Sequence, residues 1–235
     1  MTAAQLIAAA RDNSVDVIEL AGGTYHVGGI GLSVARTNPL TIRPAAGATV
    51  VFSGSNGGGS ALVISGGASN ITIEGITFDG YQLADTGLVW VGNAHDIALR
   101  DITVRHTTGQ GAYSWALYLS YSGGVAANRI TATGWDVDGG SRTIGGLQIG
   151  NSTGPDQSHV TATGWRVTNA AYAIYSAAGA SSVGIDGWTI DSSGLGNLSV
   201  DIVNTSGTIS NVHATNSGRP QIVSPMVDAG GNSWQ

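Results

Sequence analysis

Two aspartates and an arginine lie close together in the short polar stretch DVDGGSR, residues 136–142 of this 235-residue chain. On a β-strand Asp136 and Asp138 would share one face, about 6.6 Å apart by the strand rise. Glycoside hydrolysis uses two carboxyl groups about 5–5.5 Å or about 6.5–9.5 Å apart, so this spacing is compatible with that chemistry. An imidazole changes its charge near neutral pH, which makes His106 a candidate acid–base residue. The candidate catalytic residues are His106, Asp136, Asp138 and Arg142.

A second group of residues has side chains suited to holding sugar rings. Aromatic rings stack on the apolar faces of sugars, and amides or carboxylates bind the hydroxyls. The candidates lie in short apolar segments or in the long loops beside them, and are Trp90, Tyr113, Trp115, Tyr118, Gln148, Tyr175 and Asp201. Aromatic residues are also favoured in ordinary half-buried strands. The register of Trp90 and Tyr175 depends on a one-residue choice, so the sequence leaves both interpretations open.

The elements that position these residues are indicated by a repeat, since TATGW occurs at 131–135 and again at 161–165. Extending the two copies reveals six related segments, which are ITIEGITFD at 71, IALRDITVR at 97, ITATGWDVD at 130, VTATGWRVT at 160, VGIDGWTID at 183 and GTISNVHAT at 207. Their fifth residue is Gly, Asp or Asn, the types that adopt positive φ at least cost. Apolar and polar residues alternate on both sides, which predicts two short strands meeting at a tight bend.

The spacing of the repeat predicts a solenoid. Successive bend residues are 26, 33, 30, 23 and 24 residues apart, which is typical of one coil with loops of variable length. A third short strand is expected between repeats, as in LVI at 62, LVWV at 88, LYL at 117, LQI at 147, AIY at 173 and VDI at 200. Three short strands in each coil, with successive coils stacked in parallel, predict an all-β fold, a parallel β-helix.

The N-terminal segment predicts a cap on this stack. Thr2 and Gln5 form a capping-box pattern that begins a short α-helix, AAQLIAAAR, whose Leu6 and Ile7 would cover the open end. We therefore expect one domain over 1–235. Its parts are a capping helix in 1–13, first coils in 16–60, repeating coils in 61–217 and a C-terminal cap or tail in 218–235.

This helix is followed by VIELAGGTYHV and then LTIRPAAGATVVFSG. Together they resemble the N-terminal cap and first coils of the pectate-lyase-like right-handed parallel β-helix superfamily, and the resemblance covers essentially the whole chain. It implies a right-handed, single-stranded β-helix. The superfamily includes polysaccharide lyases and hydrolases, uronate epimerases and phage tailspike or tail proteins, so the fold alone does not choose a function.

The resemblance also implies a possible cofactor. Lyases of this superfamily hold calcium with carboxylates and use an arginine as base, and Asp136, Asp138 and Arg142 would supply such groups. The chain departs from the family pattern because its carboxylates do not fall on three successive coils of the substrate-binding strand. We therefore expect no cofactor, with calcium as the alternative if the protein is a lyase.

Stacked coils place equivalent residues about 4.8 Å apart, so exposed charges should pair along the stack. We expect ion pairs between Glu74 and Arg100 and between Asp136 and Arg166, and an acid–base–acid run of Asp79, Arg105 and Asp138. Such pairs are ordinary surface features that leave few carboxylates for catalysis. By the same alignment, Trp135, Trp165 and Trp188 should form a buried column.

Composition excludes several classes of protein. The chain has no Lys, nine Arg and a net charge of −6, which predicts that it does not bind nucleic acid. It has no Cys, which excludes thiolate catalysis, disulfides and Cys-ligated metal sites. It has no apolar run near the about 20 residues of a membrane helix and no visible signal peptide, so we expect no membrane insertion.

Two main functions remain, and a third is kept beside them. One is a surface protein that presents a carbohydrate- or partner-binding face, as a phage tail or other virion component. Its location would be a virion or an extracellular surface, and its partners a polysaccharide or cell-surface glycan, other virion proteins and two further copies in a homotrimer. The alternative is a polysaccharide lyase or glycoside hydrolase acting in a groove beside the third strand. An intracellular isomerase or cyclase, with a closed pocket, is a third possibility.

Overall fold

The computed structural model of the protein describes residues 1–27, 32–54, 58–109, 113–150, 155–176, 179–194, 198–223 and 225–235. The chain is a right-handed parallel β-helix with one short N-terminal α-helix, which confirms the fold class predicted from the repeats. Three parallel sheets run along the axis and enclose one apolar core. Within the described ranges, no helix has the length and apolar character needed to cross a membrane.

Each coil contributes one strand to each sheet. The first sheet contains Val17–Leu20, Leu40–Pro44, Ala68–Glu74, Ala94–Arg100, Asn128–Thr133, Gln157–Thr163, Ala180–Asp186, Thr205–Ser210 and Met226–Gly230. The second sheet contains Gly23–His26, Val50–Ser53, Ile76–Asp79, Thr103–Arg105, Asp136–Asp138, Arg166–Thr168, Thr189–Asp191, His213–Thr215 and Ser233–Trp234. The third sheet contains Leu32–Val34, Leu62–Ile64, Gly87–Val91, Trp115–Leu119, Gly145–Ile149, Ile174–Ser176, Leu198–Ile202 and Arg219–Ile222. A small antiparallel hairpin is formed by Tyr121–Ser122 and Val125–Ala126.

The bend between the first and second sheets is the one that the repeat predicts. Every bend residue has a left-handed backbone, with φ of 68°, 52°, 67°, 66°, 67° and 51° at Gly75, Asp101, Gly134, Gly164, Gly187 and Asn211. The strands on either side stay in register, with Thr131 opposite Thr161 and Asp136 opposite Arg166. The two copies of TATGW are therefore neighbouring coils that turn the same corner.

A stack of tryptophans fills the core behind this corner. The rings of Trp135, Trp165 and Trp188 are buried and nearly parallel, with centroids 4.7 Å and 4.6 Å apart. Each Nε1–H donates to a strand carbonyl on the preceding coil, which for Trp165 is that of Ala132 at 3.0 Å. The buried column expected from the sequence is present, and its polar atoms are satisfied within the core.

Removing the central ring of this stack should destabilise the protein strongly. We expect Trp165→Ala to lower the free energy of unfolding in urea by about 3–5 kcal/mol, because the cavity would lie between two buried rings. Trp234→Ala is the matched control, since that ring is only partly buried and lies on the last strand of the second sheet, outside the tryptophan stack. A loss below about 1 kcal/mol for Trp165→Ala would contradict the packing described here.

The N-terminal helix, Ala3–Arg11, closes one end of the coil stack. Its capping box is formed as predicted, with the Gln5 amide donating to Thr2 Oγ1 and the Thr2 amide donating to Gln5 Oε1. Leu6 is fully buried against the first coils. The buried Arg36 fastens the helix end, since its guanidinium donates to the carbonyls of Asp12 and Pro39 at 2.7 and 3.1 Å.

The C-terminal segment, expected to be a cap or tail, continues the β-helix. Arg219–Ile222, Met226–Gly230 and Ser233–Trp234 pair in parallel with strands of the preceding coil, one in each sheet. The alternating pattern is weak there, which is why the sequence did not indicate this coil.

The buried hydroxyl of Tyr81 provides a test of the core. Tyr81 is fully buried, its phenol oxygen has no hydrogen-bond partner among the described residues, and burial raises its pKa. We expect Tyr81→Phe to raise the free energy of unfolding by about 1 kcal/mol, because it removes an unsatisfied polar group.

Tyr25→Phe is the matched control for this substitution. The Tyr25 hydroxyl donates to the Ala21 carbonyl at 3.0 Å, so its removal should lower the free energy of unfolding by about 1 kcal/mol. Equal effects of the two substitutions in urea unfolding would contradict the assignment.

Candidate functional site

The outward side chains of the third sheet form one continuous column, which we call the ridge. In the order of the coils, it consists of Val63, Trp90, Tyr118, Gln148, Tyr175, Asp201 and Gln221. The neighbours of Trp90 within its strand, Val89 and Val91, are buried in the core, while Trp90 itself is half-buried. Tyr175 has the same orientation. The register that the sequence left open is therefore outward at both positions.

The sequence suggested that Trp115 lies in a loop. In the structure it lies in a strand, beside the ridge. It begins the strand Trp115–Leu119 and is only 1% exposed. Its ring stacks on Tyr175 and Tyr172 with centroid distances of 5.6 and 6.2 Å. It also covers Gly145 on the next coil, where an added Cβ would overlap the indole. Trp115 is therefore a supporting ring, buried because a glycine leaves room for it.

Tyr172 completes this aromatic cluster and was missed by sequence reasoning. Its ring centroid lies 5.5 Å from that of Tyr175, and the two planes are tilted by 51°. It stands three residues before Tyr175 in the segment AAYAIY, a spacing that could have indicated it. Burial raises the pKa of both tyrosines, and the Asp201 carboxylate and Tyr113 raise it further. Tyr113 itself is 69% exposed.

Asp201 supplies the carboxylate of the ridge. Burial raises its pKa, and a hydrogen bond at 3.1 Å from Gln221 Nε2 to Oδ1 acts in the opposite direction. Gln148, in the middle of the ridge, is oriented by its own hydrogen bond from Nε2 to the Gly150 carbonyl at 3.1 Å. The ridge thus combines aromatic faces with fixed amides and one carboxylate.

A depression on the second sheet gathers three of the four predicted catalytic residues. It has a volume of about 460 Å³ and is lined by Thr103, Val104, Arg105, His106, Asp136, Asp138, Arg166, Thr168, Asn169 and Asp191. It lies on a different sheet from the ridge. The structure therefore separates the candidate catalytic residues from the candidate sugar-binding residues.

The acids of this depression have partners on neighbouring coils. Asp136 pairs with Arg166 at 3.0 Å, as predicted. Asp191 Oδ1 accepts hydrogen bonds from Thr215 Oγ1 and Asn216 Nδ2, each at 3.1 Å. These hydrogen bonds lower the pKa of Asp191, since they favour the charged form.

Asp138 is also held by hydrogen bonds, and the first sheet has an ion pair of the same kind. Asp138 Oδ1 accepts from the Gly140 amide at 3.2 Å and from Asn169 Nδ2 at 3.5 Å. On the first sheet, the predicted pair of Glu74 and Arg100 is present at 4.0 Å.

The predicted run of Asp79, Arg105 and Asp138 is not formed as an ion-pair chain. Arg105 stands opposite Asp79 in the sheet, but Asp79 Oδ1 lies 2.8 Å from His106 Nδ1. His106 has a φ of 46°, and this turn at the strand end brings its imidazole to the carboxylate of the preceding coil. His106 is therefore a partner in the surface charge pattern.

Arg142 is held by the backbone and not by the acids. Its Nε donates to the Ser192 carbonyl at 3.2 Å, and its amide donates to the Asn169 carbonyl at 2.6 Å. The grouping of Asp136, Asp138 and Arg142 that would serve a calcium-dependent lyase stays a prediction, and Arg142 Nε is directed to a backbone carbonyl. In the part of the chain that the structure describes, no three acidic or histidine side chains converge as metal ligands would.

The ion pairs of this face should contribute little to stability. We expect a double-mutant cycle with Asp136→Asn and Arg166→Gln to give a coupling of about 0.2–1 kcal/mol, because both side chains are largely exposed. Added salt should reduce this coupling further. A coupling above about 2 kcal/mol in urea unfolding would show that these charges are more than surface pairs.

Comparison with solved structures finds weak similarity to two carbohydrate-active enzymes. Endopolygalacturonase I from Stereum purpureum, complexed with two galacturonates, matches with a TM-score of 0.37 and 14% identity over 92% of this chain and 95% of that chain. The catalytic domain of a GH87 α-1,3-glucanase in complex with tetrasaccharides matches with a TM-score of 0.25 and 13% identity over 95% of this chain and 66% of that chain. At these TM-scores and identities, the likenesses carry no indication of this chain's function.

No protein-family model and no curated protein sequence matches the chain.

Proposed function

We propose that the protein binds a polysaccharide along the ridge of the third sheet. The observation that carries this proposal is the in-register column of Trp90, Tyr118, Gln148, Tyr175 and Asp201 on consecutive coils. Neighbouring strands lie about 4.7–4.9 Å apart, so the column repeats its side chains at a spacing close to the length of one sugar residue. A linear polymer that follows the axis would meet one ridge side chain at each coil.

The chemistry of the ridge suits sugar rings. Trp90 extends over Gly92, where an added Cβ would be 2.6 Å from the ring. A half-exposed ring offers a stacking surface. Beside it, the amide of Gln148 and the carboxylate of Asp201 can bind hydroxyl groups. Trp115 and Tyr172 support Tyr175 from the side.

Removing a ridge aromatic should therefore weaken binding. We expect Trp90→Ala and Tyr118→Ala each to lower the affinity for the bound polysaccharide at least about tenfold in calorimetry or affinity electrophoresis. Arg100→Ala, on the exposed face of the first sheet, is the matched control and should bind as the parent protein does. Thermal unfolding checks that every variant is folded. Unchanged binding by both ridge variants would contradict the proposal.

A finer proposal concerns the setting of this face. We propose that it serves as a receptor-binding part of a phage tail or of another virion or extracellular surface, in a homotrimer and in contact with other virion proteins. The continuous stack of coils, capped by the N-terminal helix and packed around one core, supports a shaft of this kind. Sedimentation equilibrium is expected to give the mass of three chains. A single-chain mass at all concentrations would exclude the trimer.

Polysaccharide cleavage in the second-sheet depression is the second candidate. It is favoured by the convergence of His106, Asp136 and Asp138 on one cavity. Assays of new reducing ends and of the ultraviolet absorbance of new double bonds test hydrolysis and elimination. Activity that is lost in Asp138→Asn and kept in Trp90→Ala would establish this candidate, and a lack of activity on all polymers bound would remove it.

A further inference from the structure

Charged residues are distributed unequally among the three faces. The described strands of the third sheet contain two charged residues, Asp201 and Arg219. Those of the first sheet contain Glu19, Arg43, Glu74, Asp96, Arg100, Arg129, Asp186 and Asp228. Those of the second sheet contain Asp79, Arg105, Asp136, Asp138, Arg166 and Asp191. The sheet that carries the ridge is therefore the face with the weakest charge.

We propose that the ligand of the ridge is an uncharged linear polysaccharide and not a uronate polymer or another anionic glycan; this inference rests on the proposed function. An anionic polymer would bring a negative charge to each coil it crosses. From Trp90 to Tyr175 the ridge presents aromatic rings and the amide of Gln148, and its next residue is the carboxylate of Asp201. Like charges repel, so the only charge in this column disfavours an anion.

The arginines near the third sheet do not offset the negative charge of Asp201. Arg219 lies on the last strand, beyond Asp201, and lines a separate depression of about 170 Å³ with Ser217 and Trp234. Arg142 donates to the Ser192 carbonyl. Binding of anionic polymers normally depends on a cluster of cations along the groove. Among the described residues of the ridge, none is a cation.

On the other two faces, most arginines are held in ion pairs. Four of the five arginines in the described strands of these faces pair with acids along the stack, as Arg43 does with Glu19 at 2.8 Å and Arg129 with Asp96 at 2.6 Å. Each pair reduces the local charge available to a polymer. The first and second sheets thus carry ion pairs, whereas the third sheet presents mainly uncharged rings and amides.

The test measures binding of the full chain to two sets of polymers. Neutral β-glucan, α-glucan, mannan, galactan and xylan form the first set, and polygalacturonate and alginate the second. We expect at least one neutral polymer to bind, with an affinity that changes less than about twofold with added salt. We expect the polyuronates to bind at least about tenfold more weakly. Tyr118→Ala should reduce the neutral binding.

The outcomes separate this inference from the proposed function. A polyuronate that binds more tightly than every neutral polymer, and loses affinity in Tyr118→Ala, would overturn the neutral ligand but keep the ridge as the site. Binding of either set that is unaffected by both Trp90→Ala and Tyr118→Ala would overturn both proposals. So would the absence of binding to all polymers.

A gain-of-function variant tests the role of charge directly. Gln148→Arg places a cation in the centre of the ridge, and we expect it to raise the affinity for polygalacturonate about tenfold at low salt, with loss of this gain at high salt. Thr163→Arg, on the first sheet, is the matched control with the same change in net charge. Equal polygalacturonate affinities of the two variants would overturn the inference.

Discussion

The in-register parallel pairing of successive coils is the constraint on which the rest of the structure depends. Because a residue in one coil stands opposite its equivalent in the next, each position of the repeat becomes a column along the molecule. The inward columns give the apolar core and the stacked rings of Trp135, Trp165 and Trp188. The outward columns give ion pairs on two sheets and the ridge on the third. A shift of one residue in a coil would exchange its inner and outer side chains.

Much of this could be predicted from the sequence, because aligning the repeats gives the register in which successive coils pair. The bend residues, the tryptophan column and the pair of Asp136 and Arg166 all follow from aligning the six segments. The remaining features depend on places where the backbone leaves the repeat. His106 reaches Asp79 through a left-handed turn, and Trp115 is buried by stacking on two tyrosine rings of the second coil after its own. Arg36 binds carbonyls in loops, which no periodicity indicates.

Most charged side chains lie on different faces of the molecule from the exposed aromatic rings of the ridge. Acids on the second sheet have partners on neighbouring coils, as Asp136 has Arg166 and Asp191 has Thr215 and Asn216. The third sheet has almost no charge and exposes ring faces and amides in a regular line. A surface of this kind suits a repeating, uncharged polymer, which would bind by stacking and hydrogen bonding. Binding, in this view, is a property of the same stacking that builds the fold.

The most direct measurement is an NMR titration of the full chain with a neutral oligosaccharide, observing the indole Nε1–H signals of all six tryptophans. We predict that the Trp90 signal shifts most, with a smaller shift for Trp115 through its ring stack. The signals of the core residues Trp135, Trp165 and Trp188 should stay unchanged. Shifts confined to amides around the second-sheet depression, with Trp90 unaffected, would contradict the assignment of the ridge as the binding surface.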